Sequence, residues 1–142
     1  MIEVNNLTTN SVDEDFLKKT ATIVLEGENK PSDSFAVGRA KKKLELSIVL
    51  VGQERIKELN KKYRGKNRVT DVLSFQYDDS GEIVICLREV KKNAKKDGLS
   101  CEKELVLVLI HGILHILGYS HERSEKEAKK MEEKQEHYLS RI

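Results

Sequence analysis

The segment LVLVLIHGILHILGYSH, residues 105–121, combines a strongly apolar composition with three of the chain's four histidines. Residues 105–117 place apolar side chains all round a helical wheel, a pattern typical of a helix that protein surrounds on every side. We therefore predict a buried helix here, with the rest of the chain packed around it. Histidines on such a helix need polar partners, which makes this segment the first candidate for a functional site.

The other segments alternate between strand and helix patterns. IEVN and LELSIVLV are typical of strands, and the continuous apolar end of the second predicts an interior position in a sheet. TDVLSFQY and GEIVIC, separated by DDSG, predict a hairpin. With helical patterns between and after these strands, the predicted order is βαβαββααα. This order indicates an α+β fold, a small mixed β-sheet covered by helices, in one domain spanning residues 1–142.

Capping residues indicate where three of the helices begin. Ser11 and Glu14 have capping-box spacing ahead of the first helix. Ser124 and Glu127 have the same spacing ahead of the last one. Ser100 precedes the buried helix but has no acidic residue three places later, so the sequence leaves the start of that helix open by a few residues.

The composition, 38% hydrophobic and 35% charged residues, is that of a folded globular protein. No apolar segment approaches the roughly eighteen residues that cross a bilayer, and the N-terminus lacks a signal-peptide profile, so we expect a cytoplasmic protein without membrane contact. In that reducing compartment Cys86 and Cys101 are expected to be buried free thiols. The net charge of +2 is too small to indicate general polyanion binding, so any nucleic-acid binding must come from local patches.

The histidine spacing predicts a metal site. Residues four apart lie on the same face of a helix, so His111 and His115 present their rings to one point. Gly118 allows a left-handed turn that ends the helix and brings His121 back to that point. A single histidine on an apolar helix is more often a hydrogen-bonded core residue, but two neutral rings on one buried face need partners that leucines do not offer.

Three imidazoles with one position left for water match catalytic zinc rather than structural zinc. Zinc lowers the pKa of its water to about 7, which produces a nucleophile for hydrolysis. The site would instead be structural if a fourth side chain closed it, and Cys86, Cys101 and His137 are the available candidates, although their spacing favours none of them. Nickel or copper also suits such nitrogen ligands.

The same histidine spacing occurs in metzincin proteases, which carry a glutamate directly after the first histidine as general base. This chain has Gly112 there, and glycine transfers no proton, so peptide hydrolysis by that mechanism is disfavoured. Glu122 could take the place of the glutamate, but a solvated surface position suits it better.

HGILHILGYSH resembles the H-G-x-L-H-L-x-G-Y-D-H signature of the YbeY family of bacterial endoribonucleases. LNKKYRGKNRVTDVLSF and GEIVIC are similar to two further blocks of that family, so the resemblance runs from about residue 59 to residue 121. It implies a zinc-dependent endoribonuclease of single-stranded RNA that acts with the small ribosomal subunit or its assembly proteins, in ribosomal RNA maturation and ribosome quality control. It also implies that His111, His115 and His121 hold the metal and that Arg64 is the cleft arginine.

Five positions depart from the family pattern. They are Asn67, Val69, Gln76, Glu82 and Ser120. Ser120 replaces an aspartate beside the third predicted ligand, where a carboxylate would orient that ligand or assist proton transfer. The resemblance therefore leaves the catalytic rate open.

A basic segment supports a phosphodiester substrate independently of the resemblance. Five cations stand within eight residues at a helix end and the following loop: Lys61, Lys62, Arg64, Lys66 and Arg68. They would hold two or three phosphates if they face the cleft, and Arg64 could grip one through two parallel hydrogen bonds. A second basic run, residues 41–43, fits a solvated surface better. Tyr63 and Phe75 fit base stacking and core packing equally well.

The resulting hypothesis is RNA cleavage at a three-histidine zinc site, with Arg64, Lys66, Arg68 and Lys62 binding the RNA. Either water or the neighbouring ribose hydroxyl attacks the phosphorus, and the sequence does not choose between them. The alternatives are a non-catalytic ribosome-assembly factor with structural zinc and, less favoured, a zinc peptidase.

Overall fold

The computed structural model describes residues 1–29 and 44–142, and the basic run at residues 41–43 lies outside them. Its elements follow the predicted order: β1 (Ile2–Asn6), α1 (Glu14–Glu28), β2 (Glu45–Val51), α2 (Gln53–Arg64), β3 (Val72–Gln76), β4 (Ser80–Cys86), α3 (Leu87–Asp97), α4 (Cys101–Ile116) and α5 (Glu125–Ser140). The α+β prediction is confirmed. None of the helices in the described ranges is long and apolar enough to span a membrane.

The four strands form one mixed sheet in the order β1-β2-β4-β3. β1 and β4 run parallel to β2, whereas β3 pairs antiparallel with β4 as the predicted hairpin. The predicted interior position of β2 is confirmed, because β2 has a hydrogen-bonded neighbour on each side. β3 lies at one edge of the sheet.

The sheet is covered on both faces because the apolar residues of its strands alternate. One face contributes Leu46, Ile48, Leu50, Ile83 and Ile85 to the main core. The helices α1, α3, α4 and α5 supply the other residues of that core. The opposite face carries a smaller cluster of Val51, Leu73, Val84 and Cys86, which Ile56 of α2 covers. Strand periodicity therefore places α2 and α4 on opposite sides of the sheet, with the edge strand β3 between them.

α4 packs unusually close to the sheet. A Cβ atom added to Gly112 would lie 3.2 Å from Cγ2 of Ile83 and 3.2 Å from the hydroxyl oxygen of Ser74. The backbone carbonyl of Gly112 also accepts a hydrogen bond from that hydroxyl, at 3.4 Å. Glycine at this position therefore allows the histidine-bearing helix to lie directly against the edge of the sheet.

One helix cap differs from the prediction. Asp13, not Ser11, caps α1, and its carboxylate accepts from the backbone N–H of Phe16 at 3.0 Å. A carboxylate also interacts favourably with the positive end of the helix dipole. Ser100 caps α4 despite the missing capping box, and Ser124 caps α5 as predicted.

The cysteines agree with the prediction in part. Both are free thiols, and Cys86 is fully buried at the end of β4. Cys101 is only half-buried, because it occupies the first turn of α4, where the helix emerges from the core.

Candidate active site

The end of α4 brings the three histidines together. The helix stops after Ile116, and the next residues form a Schellman turn in which the N–H of Tyr119 donates to the carbonyl of Leu114. Gly118, with φ +103°, provides the left-handed residue of this turn. The chain then reverses, and His121 faces the two histidines of the helix.

The three rings form a compact triangle. The centroids of His111 and His115 are 4.4 Å apart, and each lies 5.2 or 5.3 Å from the centroid of His121. One ring nitrogen from each residue lies within 4.8 Å of the other two, so the three side chains could hold a metal ion. The three histidines therefore converge in the structure, as their spacing predicts.

The hydrogen bonds around the rings leave nitrogen lone pairs that a shared cation could bind. Nδ1 of His111 lies 2.7 Å from Oε1 of Gln135, and because an amide oxygen only accepts, the ring proton of His111 belongs on Nδ1. The His115 ring hydrogen-bonds in addition to the backbone of Tyr119. Nε2 of His111 and Nε2 of His115 lie 2.9 Å apart, close enough for a hydrogen bond from His115 to His111 or for a cation that both rings bind. The donor set therefore fits a metal.

Burial lowers the pKa of His115 below its ordinary value, and the nearby His111 and His121 rings lower it further. Only neutral imidazole binds a metal, so this shift keeps His115 ready for ligation.

The candidates for a fourth ligand lie elsewhere. Cys86 is on the opposite face of the sheet, in the small cluster under α2. Cys101 precedes His111 by ten residues on the same helix, about 15 Å along its axis. The ring of His137 packs against Tyr138, at 5.0 Å between centroids. Among the described residues the metal-binding group has three members, which is the ligand number of catalytic zinc.

A groove of about 490 Å³ lies beside the histidines. Its walls bring residues from α2, the following loop, β3 and α4 together. Three of the predicted RNA-binding residues, Arg64, Lys66 and Arg68, line it together with His111 and His115. Lys62 is not among its lining residues, and its ammonium lies 5.2 Å from the centre of the Tyr63 ring.

Arg64 is fixed at the rim of the groove. Its guanidinium donates to the backbone carbonyl of Ser74 at 2.7 Å and to that of Tyr63 at 3.2 Å. It also lies over the ring of Phe75, at 4.8 Å from the centroid. Because a guanidinium has five N–H donors, these contacts leave others for a phosphate. Arg64 is thus held in place before any ligand arrives.

Asn60 is a site residue that the sequence analysis missed. It is 3% exposed, lines the groove, and donates from its side-chain amide to the carbonyl of Arg68 at 3.0 Å. The backbone carbonyl of Asn60 accepts a hydrogen bond from the backbone N–H of Lys66 at 3.3 Å. Asn60 therefore holds both ends of the basic loop against α2. Its position on the inward side of α2, four residues after the buried Ile56, was the available signal.

The other residues considered in the sequence are the aromatic pair Tyr63 and Phe75 and the turn residues Ser120 and Glu122. Tyr63 is 52% exposed, and its ring meets the half-buried Phe75 edge-on, so Phe75 is the core residue of the pair. The Ser120 hydroxyl accepts from the N–H of Glu122 at 3.2 Å, which stabilises the turn before the exposed Glu122 side chain.

The model of the endoribonuclease YbeY family matches residues 3–142. The chain belongs to this family. Its relatives include proteins named endoribonuclease YbeY from Persephonella marina, 48% identical over 97 residues, and from Thermodesulfovibrio yellowstonii, 40% identical over 134 residues. These alignments cover 62% and 89% of this chain, and 63% and 84% of the two relatives. The chain thus spans less than two thirds of the Persephonella marina protein.

The fold matches a solved structure of similar sequence. The solution structure of TM1509 from Thermotoga maritima superposes with a TM-score of 0.69 and 36% identity, covering 98% of this chain and 87% of that one. The glycine that follows the first histidine also distinguishes the site from the metzincin arrangement. A Cβ atom at Gly112 would lie 3.2 Å from Ile83 and from Ser74, so a glutamate there would require these neighbours to move by a few tenths of an ångström.

Proposed function

We propose that this protein is a metal-dependent endoribonuclease that cleaves single-stranded RNA. The observation that carries the proposal is a single groove lined both by His111 and His115 and by Arg64, Lys66 and Arg68. Cationic side chains bind a phosphodiester backbone, and its cleavage is accelerated by groups that stabilise the negative charge developing at the reacting phosphate. The names of the relatives, endoribonuclease YbeY, support the same activity.

His111, His115 and His121 would hold the metal, with zinc as the proposed ion. When bound, such an ion acts as a Lewis acid and lowers the pKa of water. Arg64, fixed by Ser74 and Tyr63, would bind the scissile phosphate and counter the charge that develops on its non-bridging oxygens. Lys66 and Arg68 would hold the neighbouring phosphates, because Asn60 keeps their loop at the groove.

The size of the groove limits how much of the RNA it contacts. A volume of about 490 Å³ is in the range of small-molecule sites, so the groove itself would hold only a short length of the strand. The proposed biological substrate is ribosomal RNA of the small subunit, in its maturation and in ribosome quality control, with the subunit or its assembly proteins as partners in the cytoplasm. This finer assignment rests on the resemblance of the three sequence blocks to the YbeY family.

One observation favours a second candidate, a non-catalytic assembly factor. Among the described residues that line the groove there is no aspartate or glutamate, so no carboxylate there serves as a general base. The attack by the ribose hydroxyl or by water therefore stays open. A peptidase is less favoured, because Gly112 stands where that mechanism needs a glutamate, and glycine transfers no proton.

The test compares purified protein before chelation, after chelation and after reloading with zinc. The substrates are single-stranded RNA, duplex RNA and casein. We expect cleavage of the single strand alone, its loss after chelation, and its return with zinc. Full zinc occupancy without RNA cleavage would favour the assembly factor, and casein cleavage would favour the peptidase. The product ends distinguish the routes, because attack by the ribose hydroxyl leaves a cyclic or 3′-phosphate end.

A further inference from the structure

Gln135 contacts the metal site from a helix that supplies none of the three histidines. It lies on α5, half-buried, and its Oε1 is 2.7 Å from Nδ1 of His111. This is a short, well-formed hydrogen bond for an uncharged pair. Gln135 lies on the inward side of α5, at helical spacing from the buried Met131 and Tyr138.

The direction of this hydrogen bond decides which nitrogen of His111 is free. With the amide oxygen toward the ring, the proton sits on Nδ1 and the lone pair of Nε2 faces His115, 2.9 Å away. With the amide nitrogen toward the ring, Nδ1 would have to accept, and the proton would move to Nε2. That second tautomer cannot bind a metal between the two histidines.

The packing of α5 holds Gln135 in place. Met131, one turn earlier, and Tyr138, three residues later, lie on the same face of the helix and are both buried. Tyr138 donates to the carboxylate of Glu28 on α1, and Lys134 pairs with that carboxylate at 3.1 Å. α1 therefore fixes α5 on both sides of Gln135, and through it the ring of His111.

We propose that Gln135 is a positioning residue that selects the metal-binding tautomer of His111. Partners of this kind orient a ligand and raise its basicity, and their loss typically weakens metal binding about 10- to 100-fold. Because Gln135 is neutral, it does this without adding negative charge next to the metal. The inference rests on the proposed metal site.

The test measures zinc dissociation constants by competition with a chromophoric chelator. The variants are Gln135→Leu, which removes the acceptor, and Gln135→Glu, which keeps one. Glu136→Gln, at the exposed neighbouring position of α5, is the matched control. Thermal unfolding of the metal-free proteins checks that each variant folds, and ¹⁵N NMR of the histidine rings identifies the protonated nitrogen.

We expect Gln135→Leu to bind zinc about 10- to 100-fold more weakly and to lose the His111 Nδ1–H signal. Gln135→Glu should bind zinc at least as tightly as the parent, and Glu136→Gln should match it. Binding of zinc by Gln135→Leu within twofold of the parent, or an unrestored affinity in Gln135→Glu, would overturn the assignment. If the parent itself binds no zinc, the proposed metal site fails instead.

Discussion

The two walls of the groove are built in different ways. The histidine wall, made of His111 and His115, comes from a half-buried helix face, with a ring nitrogen of His111 placed by a hydrogen bond. A Schellman turn brings His121 next to this wall. The basic wall, made of Arg64, Lys66 and Arg68, is exposed, and its fixed part is mainly the backbone that Asn60 holds. Chelation depends on positions within a few tenths of an ångström, whereas attraction of a polyanion depends mainly on charge. The walls should therefore respond differently to substitution.

The largest effect is expected from His115→Ala in the histidine wall. Structural zinc sites contribute about 10–16 kcal/mol of binding, so losing one of three ligands should cost about 4 kcal/mol, roughly a thousandfold in zinc affinity. RNA cleavage should fall to background. Zinc titration and an RNA cleavage assay measure both, with His137→Ala, the histidine outside the site, as control. Tight zinc binding by His115→Ala would show that the triangle is not the metal site.

Arg64→Ala should impair the basic wall and leave the histidine wall intact. We expect it to keep zinc affinity and to lose RNA cleavage by about a hundredfold in turnover, because it removes a positioned donor for the developing charge. Arg55→Ala, at an exposed position earlier on the same helix, should retain both. Arg64→Lys should recover only part of the activity, since an ammonium lacks the planar fork. Undiminished cleavage by Arg64→Ala would remove Arg64 from the mechanism.

Glu28→Gln tests how much the carboxylate that joins α1 to α5 stabilises the fold. Burial alone would raise the pKa of Glu28, but hydrogen bonds from Tyr119, Tyr138 and Lys134 outweigh it and lower the pKa below 4.5. The ionised carboxylate therefore stabilises the fold above pH 4.5, and this contribution is lost as the pH falls through the lowered pKa.

We expect Glu28→Gln to lower the free energy of unfolding by about 2 kcal/mol at pH 7, with a smaller difference below pH 4.5. Urea unfolding at several pH values measures this. Glu26→Gln, an exposed residue of the same helix, is the control. A difference that is constant across pH would show that ionisation of Glu28 contributes nothing.

The smallest effects are expected in the basic loop. Lys66→Ala and Arg68→Ala should each reduce the slope of log affinity for single-stranded RNA against log salt by about 0.7, because each removes one phosphate contact. Lys62→Ala should leave the slope unchanged, since Lys62 is not among the residues lining the groove. Equal slopes for Lys62→Ala and Lys66→Ala would show that bound RNA also contacts residues outside the groove. Fluorescence anisotropy with an uncleavable RNA measures these slopes.

The periodicity of apolar residues predicted the structure correctly where the buried face of an element follows from its own sequence. The two-residue period of the strands and the apolar run of α4 predicted the element order and the mixed sheet. The four-residue spacing of His111 and His115, with Gly118 after them, predicted the triangle, because helix geometry and a left-handed glycine leave few alternatives. The cap of α1 was predicted wrongly, since Ser11 and Asp13 are both good caps and spacing alone does not choose between them.

The sequence by itself determined which residues can bind a metal and which carry the charge, because both follow from residue type and local geometry. Only the tertiary structure decided that Arg64 reaches Ser74, that Asn60 holds the basic loop, and that Gln135 meets His111. These contacts join residues on different elements, and their existence depends on how α2, β3 and α5 pack around α4. Such packing is fixed by the summed burial of the whole domain, so no single stretch of the chain encodes it.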